Sequence, residues 1–161
     1  MTERQGVPFY TGMRYYVAEK WGFGIWLPSD WYEFQMDTGY KGVIFSPYKD
    51  DTNTCFSIEK FTLKVSVKET DVPILRKGFR DGVNALPGVE VEKFDETITQ
   101  TVKMFEARFT YLDNGNRRKR WIRNLYWGNG QLVMIAQGKD SADFNYYEPM
   151  LFNTMYTIDI L

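Results

Sequence analysis

Apolar and polar residues alternate with a period of two over most of this chain and with a period near 3.6 in two places, so the pattern predicts a sheet with helices laid on it. Met13 to Val17 and Phe23 to Leu27 form two short strand-like runs broken near Trp21-Gly22, and Gly42 to Ser46 is a third. From Cys55 to Val67 the alternation predicts one long strand. Phe61, Leu63, Val65 and Val67 share one parity and Phe56 and Ile58 the other, which calls for a bulge near Glu59-Lys60 or a change of face. Four more runs follow at Val89 to Phe94, Lys103 to Leu112, Arg117 to Trp127 and Gln131 to Gln137. Asn114-Gly115 supplies a strong short hairpin signal and Gly128-Asn129-Gly130 the next turn, so the last three runs should form an antiparallel meander.

The helical periods are equally readable. Val72, Leu75, Phe79 and Val83 recur every three or four residues behind Thr70, Asp71 and Pro73, a helix start, and Leu86-Pro87-Gly88 ends the run. Arg76, Lys77, Arg80 and Asp81 take its wet side. A second helix should start with Ser141 as cap and carry Phe144, Tyr147, Leu151, Phe152 and Met155, with Pro149 kinking or splitting it. The order of elements implies an α+β architecture, an antiparallel β-sheet with helices packed on it. Residues 1 to 12 read as a leader and residues 13–161 as one domain, a length that buries roughly two-thirds of the unfolded surface without staples.

Composition narrows the chemistry. Histidine is absent, which removes the usual base near neutral pH and the Ser-His and Cys-His pairings of nucleophilic enzymes. Cys55 is the single cysteine, so there is neither an internal disulfide nor a thiolate zinc site, and a lone thiol at a strand start reads as a small buried hydrophobe. The phosphate-cradling glycine loops and the Gly-x-Ser-x-Gly elbow are missing. Lys49-Asp50-Asp51-Thr52-Asn53 lacks the spacing of a calcium loop and reads as a solvated turn. No cofactor or metal is expected. A net charge of −1 argues against general attraction to nucleic acid or an anionic membrane. With neither an apolar leader nor a membrane-length apolar run, the chain as given reads as cytoplasmic, with export open if a signal segment once preceded it.

Two features could form a surface for a partner. The first half is rich in aromatics, among them Tyr15, Trp21, Trp26, Trp31 and Tyr32; adjacent rings such as Tyr15-Tyr16 and Trp31-Tyr32 cannot all face inward, while Trp31, after the Pro28 turn, should fold over the core. The other is the run Arg117, Arg118, Lys119 and Arg120 with Arg123 beyond it. On a strand Arg118 and Arg120 point one way and Arg117, Lys119 and Arg123 the other, within reach of Glu90, Glu92 or Glu106 across strands. Asp95-Glu96, Glu90 and Glu92 are the carboxylates on which an enzyme would have to draw.

The strand Gly22-Phe23-Gly24-Ile25 running into Leu27-Pro28-Ser29-Asp30-Trp31, a Gly-Phe-x-Ile-x-x-Pro-x-x-Trp pattern, followed by long strand, helix, meander and final helix, resembles the PsbP-like family. That superfamily includes the extrinsic PsbP proteins of photosystem II, the Ran-binding Mog proteins and small bacterial proteins. The resemblance runs from about Tyr15 to Ile160 and implies an α-β-α sandwich and a family that mostly binds partners, some bacterial relatives acting as chaperones or adaptors for secreted effectors. It carries no contact residues over, and without histidine any His-containing metal site of plant PsbP proteins is absent. The expected function is a non-enzymatic binding or adaptor module presenting an aromatic and basic surface to a protein partner, with a homodimer as one arrangement. The alternative is a hydrolase or small-ligand enzyme built on carboxylates and tyrosines.

Overall fold

Tight turns fix the register of the main sheet. In the computed structural model, which describes residues 12–161, strands β7 (Lys103–Asp113), β8 (Asn116–Trp127) and β9 (Gly130–Gly138) form the meander. Of the expected leader, residues 1 to 12, only Gly12 lies among the described residues. Asn114 and Gly115 both take positive φ, 50° and 82°, as a two-residue hairpin turn of the type matched to strand twist requires. Antiparallel pairing extends outward from β9 to β5 (Cys55–Thr62), β4 (Gly42–Ser46) and β3 (Tyr32–Gln35), and from β7 to β6 (Glu90–Ile98). The seven strands lie in the order β3-β4-β5-β9-β8-β7-β6.

Both faces of this sheet are apolar, and each has its own cover. Helix α1 (Val72–Asn84) sets Phe79 and Val83 against Phe105, Ala107, Phe109 and Tyr111 on one face. Helix α2 (Ser141–Tyr156) and a small antiparallel sheet cover the other; the small sheet has the order β1-β2-β10, from Met13–Ala18, Phe23–Pro28 and Asp159–Ile160. Phe23, Ile25 and Leu27 of β2 meet Phe45, Phe56, Ile58, Trp121, Phe144 and Leu151 in the larger core. Each of these large side chains, when fully buried, contributes about 1.5–3 kcal/mol. Trp31 is buried as expected, 6% exposed, edge-on to Tyr147 at 5.9 Å.

Four features refine the sequence reading. β5 ends at Thr62 rather than running on to Val67, and its register to β9 is unbroken at Glu59-Lys60, so of the two alternatives the change of face holds. Phe56 and Ile58 face the α2 core, whereas Leu63 and Val67 pack near α1, held by bonds from their N–H groups to the carbonyls of Asn129 and Gly128. The parity change in the sequence is a change of face. α2 is a single helix through Pro149, which stands at an exposed position where the carbonyl left without a donor can meet water. Its cap is Asp140 rather than Ser141: the Asp143 N–H donates to Asp140 Oδ1 at 2.8 Å. Finally, β3 and β10 were not foreseen from the sequence. Among the described residues no helix is long and apolar enough to cross a membrane.

Candidate functional site: the outer face of the three-stranded sheet

β2 turns Phe23, Ile25 and Leu27 into the core, which sends Trp26 outward, 44% exposed. Its cross-strand partner is Tyr15, 37% exposed, with the two rings 5.2 Å apart and tilted by 45°. Gly24 makes this possible: a Cβ there would stand 2.1 Å from Tyr15 Oη, so the glycine is the floor on which the tyrosine ring lies. Tyr15 Oη donates to Asp159 Oδ2 of β10 at 2.9 Å. That bond, followed by desolvation and the carboxylate's charge, raises the phenol above its ordinary pKa, so Tyr15 is a fixed donor and not a base. Val17, exposed, completes an apolar patch on the same face, with α2 packed behind β2.

The other aromatic candidates are dispersed. Trp21 is half-buried, stacked on Phe23 at 6.3 Å beneath the Lys20 ammonium, and lines a cleft of about 540 Å³ with Tyr16, Val17 and Gln35. Trp31 lies inside the core and so offers nothing to a partner. Tyr32 is exposed at the start of β3, in the other sheet.

The basic run does not form a free cationic surface, because its side chains find acceptors within the protein. Arg118 donates to the Lys139 carbonyl at 3.0 Å and lies 3.4 Å from Asp113. Arg120 forks onto Gln137 Oε1 and Tyr111 Oη, each at 2.6 Å. Lys119 pairs with Glu92 at 3.2 Å and sits over Phe144. Arg123, 6% exposed, donates to the Met155 carbonyl at the end of α2, where the helix dipole favours a cation. Its Nε is 3.3 Å from Glu106 Oε2, but the N–H is not aimed at that oxygen, so this is a charge contact without a hydrogen bond. Arg117 alone of the five is exposed, and it too donates, to Gly88 O and Thr110 Oγ1. The two-way split of the run and the cross-strand pairs with Glu92 and Glu106 match the alternation; the inward turn of the charges is the correction.

The carboxylates are also committed. Glu96 takes a bidentate pair with Arg76, both contacts 2.7 Å, and Arg76 holds it below the usual carboxylate range. Asp95 is lowered first by the Glu96 N–H and then by Lys93. Adjacent on β6, these two point to opposite faces and cannot act on one atom. The Cys55 thiol is pushed up to about 12 by burial, which leaves it protonated. Among the described residues no three His, Cys, Asp or Glu side chains gather to hold a metal. In the turn after β4, Asp51 accepts from Ser46 Oγ at 2.7 Å through its carbonyl and from the Asn53 N–H through its carboxylate.

One buried polar cluster gave no sign in the sequence. Asp143, 3% exposed in the first turn of α2, accepts from Thr54 Oγ1 at 2.7 Å and Tyr48 Oη at 2.9 Å. Burial, then hydrogen bonding to Tyr147 and to Asp143, raises the Tyr48 phenol. The cluster pins the start of α2 to the segment between β4 and β5, and an acidic residue in a first helical turn otherwise reads as solvent-facing.

No protein-family model matches the sequence, and no curated protein matches it either. Solved structures do. The cyanobacterial PsbP protein CyanoP from Synechocystis superposes with a TM-score of 0.64 at 12% identity, covering 100% of this chain and 99% of that one. The Ran-binding protein Mog1p of Saccharomyces cerevisiae superposes at 0.54 with 8% identity over 92% of this chain and 95% of its own. The fold is PsbP-like. Protein PA94 of Pseudomonas aeruginosa, of unknown function and described as a putative regulator, has it as well, with a TM-score of 0.57 and 12% identity over 89% of this chain and 93% of that one. Identities this low carry the PsbP-like fold between the chains and leave each surface to be read from its own residues.

Proposed function

We propose that this chain is a non-catalytic binding module that engages a protein partner through the outer face of its three-stranded sheet. The exposed Tyr15–Trp26 pair carries the reading: two large rings held in register at 5.2 Å, on a face that no described element covers. Aromatic side chains fixed by their scaffold bind with little loss of rotamer freedom and are enriched at interface centres. Tyr15 adds a phenol and Asp159 a carboxylate for orientation. The basic run serves this module as internal bracing. Two further points support a binding role: Glu96 is held in a bidentate pair with Arg76 and Asp95 beside it points to the opposite face, and one PsbP-like neighbour, Mog1p, is named for binding a protein. The test is affinity capture from the source cell with the wild-type chain and with Trp26→Ser combined with Tyr15→Ser. Loss of a captured protein from the double variant, with far-UV dichroism and a cooperative thermal transition retained, is the expected result; identical captured sets would refute the reading.

A further inference from the structure

β1 is a sheet edge, and sheet edges are ordinarily guarded. β6, the far edge of the large sheet, carries Glu90, Glu92, Lys93, Asp95 and Glu96 and a register shift between Val91 and Lys93. β3 and β10 are only four and two residues long. β1 has six residues and a single charge, Arg14, whose guanidinium lies inward, 5.7 Å over the Phe45 ring. Among the described residues it pairs with β2 alone.

The register tells which main-chain groups are free. The Trp26 N–H donates to Thr157 Oγ1, away from β1, which makes Tyr15–Trp26 a non-hydrogen-bonded pair. Alternation then turns the N–H and C=O of Arg14, Tyr16 and Ala18 toward β2 and those of Met13, Tyr15 and Val17 toward the open edge. Pro28, opposite Met13, fits this parity, since its missing N–H would have pointed away from β1. The free groups therefore belong to the residues whose side chains build the outer face. Beside the same edge, the cleft of about 540 Å³ runs from Tyr16 and Trp21 to Gln35 of β3.

We propose that β1 accepts an extended segment of a partner protein as an added strand. Its main chain bonds Met13, Tyr15 and Val17, and its side chains alternate between the Tyr15–Val17 face, which calls for apolar residues, and the cleft, which calls for larger mixed ones. This rests on the protein-binding reading and deepens it: strand addition draws affinity from main-chain bonds and specificity from alternate side chains. A two-residue apolar spacing in the partner segment is the sequence signature.

The probe is a twelve-residue peptide enriched from a random phage-displayed library on the immobilised full chain. In the free protein the amide hydrogens of Tyr15 and Val17 should exchange quickly and those of Tyr16 and Ala18 slowly; with the peptide bound, Tyr15 and Val17 should become protected. Val17→Pro removes an outward donor without breaking a β1–β2 bond and should weaken peptide binding at least tenfold with near-UV dichroism unchanged. A peptide that binds equally to Val17→Pro and leaves Tyr15 and Val17 unprotected would overturn strand addition while leaving the binding-module reading intact. Failure to enrich any peptide would also overturn it, as would protection of Tyr15 and Val17 in a peptide-free dimer seen by sedimentation, which would make a second copy the occupant.

Discussion

Replacing Gly24 by alanine should dislodge Tyr15 while leaving the fold standing. The new Cβ would lie 2.1 Å from Tyr15 Oη and 2.6 Å from Cζ, far inside van der Waals contact, and the group it meets is the far end of a side chain with solvent beyond it. The ring swings away, losing the bond to Asp159 and part of the pairing with Trp26, and both contribute little in so exposed a place. Alanine returns about 0.5–1 kcal/mol relative to glycine in a strand interior. The net loss is small, a fall in Tm of at most about 10 °C at this chain length. Gly138→Ala is the contrast, since its Cβ would sit 2.4 Å from the Phe144 nitrogen and 2.6 Å from the Asp140 carbonyl oxygen. Backbone cannot swing aside, so a loss above about 4 kcal/mol is expected there. The assays are thermal unfolding followed by near-UV dichroism and partner capture. A Gly24→Ala protein that keeps its partner undiminished would refute the role of the Tyr15–Trp26 pair; one that unfolds as readily as Gly138→Ala would refute the geometry.

Cys55 should resist a disulfide thiol reagent in the folded protein at pH 8, because its thiol is raised to about 12 and buried, and react within the unfolding time once denaturant is added. Glu96, lowered by Arg76, contributes stability that is complete above its ordinary carboxylate pKa and lost as pH falls through its lower folded value; acid unfolding of Glu96→Gln should lack that part of the pH dependence. Arg123→Ala strips the α2 end of its cation and leaves Glu106, 9% exposed, without its neighbour, so denaturant titration should show a loss of about 3–5 kcal/mol. Arg118→Ser with Arg120→Ser should lower stability measurably, because both guanidinium groups donate to internal acceptors; an unchanged melting temperature would restore the run as a solvated face.

Much of the fold was legible because its signals are local. The Asn114-Gly115 turn, the α1 stripe and the alternation of β7 through β9 each specify an element without help from distant residues. What escaped depends on tertiary context. β3, Tyr32–Gln35, has four residues and gains its pairing from β4, while β10 exists through two residues lying against Phe23 and Gly24. The alternation from Leu63 to Val67 is as regular as that of a strand, yet the chain departs from the ladder there to pack near α1. Side-chain fate was less legible still. Parity placed Trp26 and Tyr15 on one face only once their cross-strand register was known, and nothing in Arg117 to Arg120 announces that Gln137, Tyr111 and the Lys139 carbonyl stand within reach.

The most direct measurement is an oxidative footprint of the chain in complex with the protein it captures. The account predicts that Tyr15 and Trp26 lose most of their reactivity on complex formation while Tyr40, 58% exposed in the turn between β3 and β4, keeps its own. Full reactivity of Tyr15 and Trp26 in the complex, with protection at Tyr40 or elsewhere on the large sheet, would contradict it.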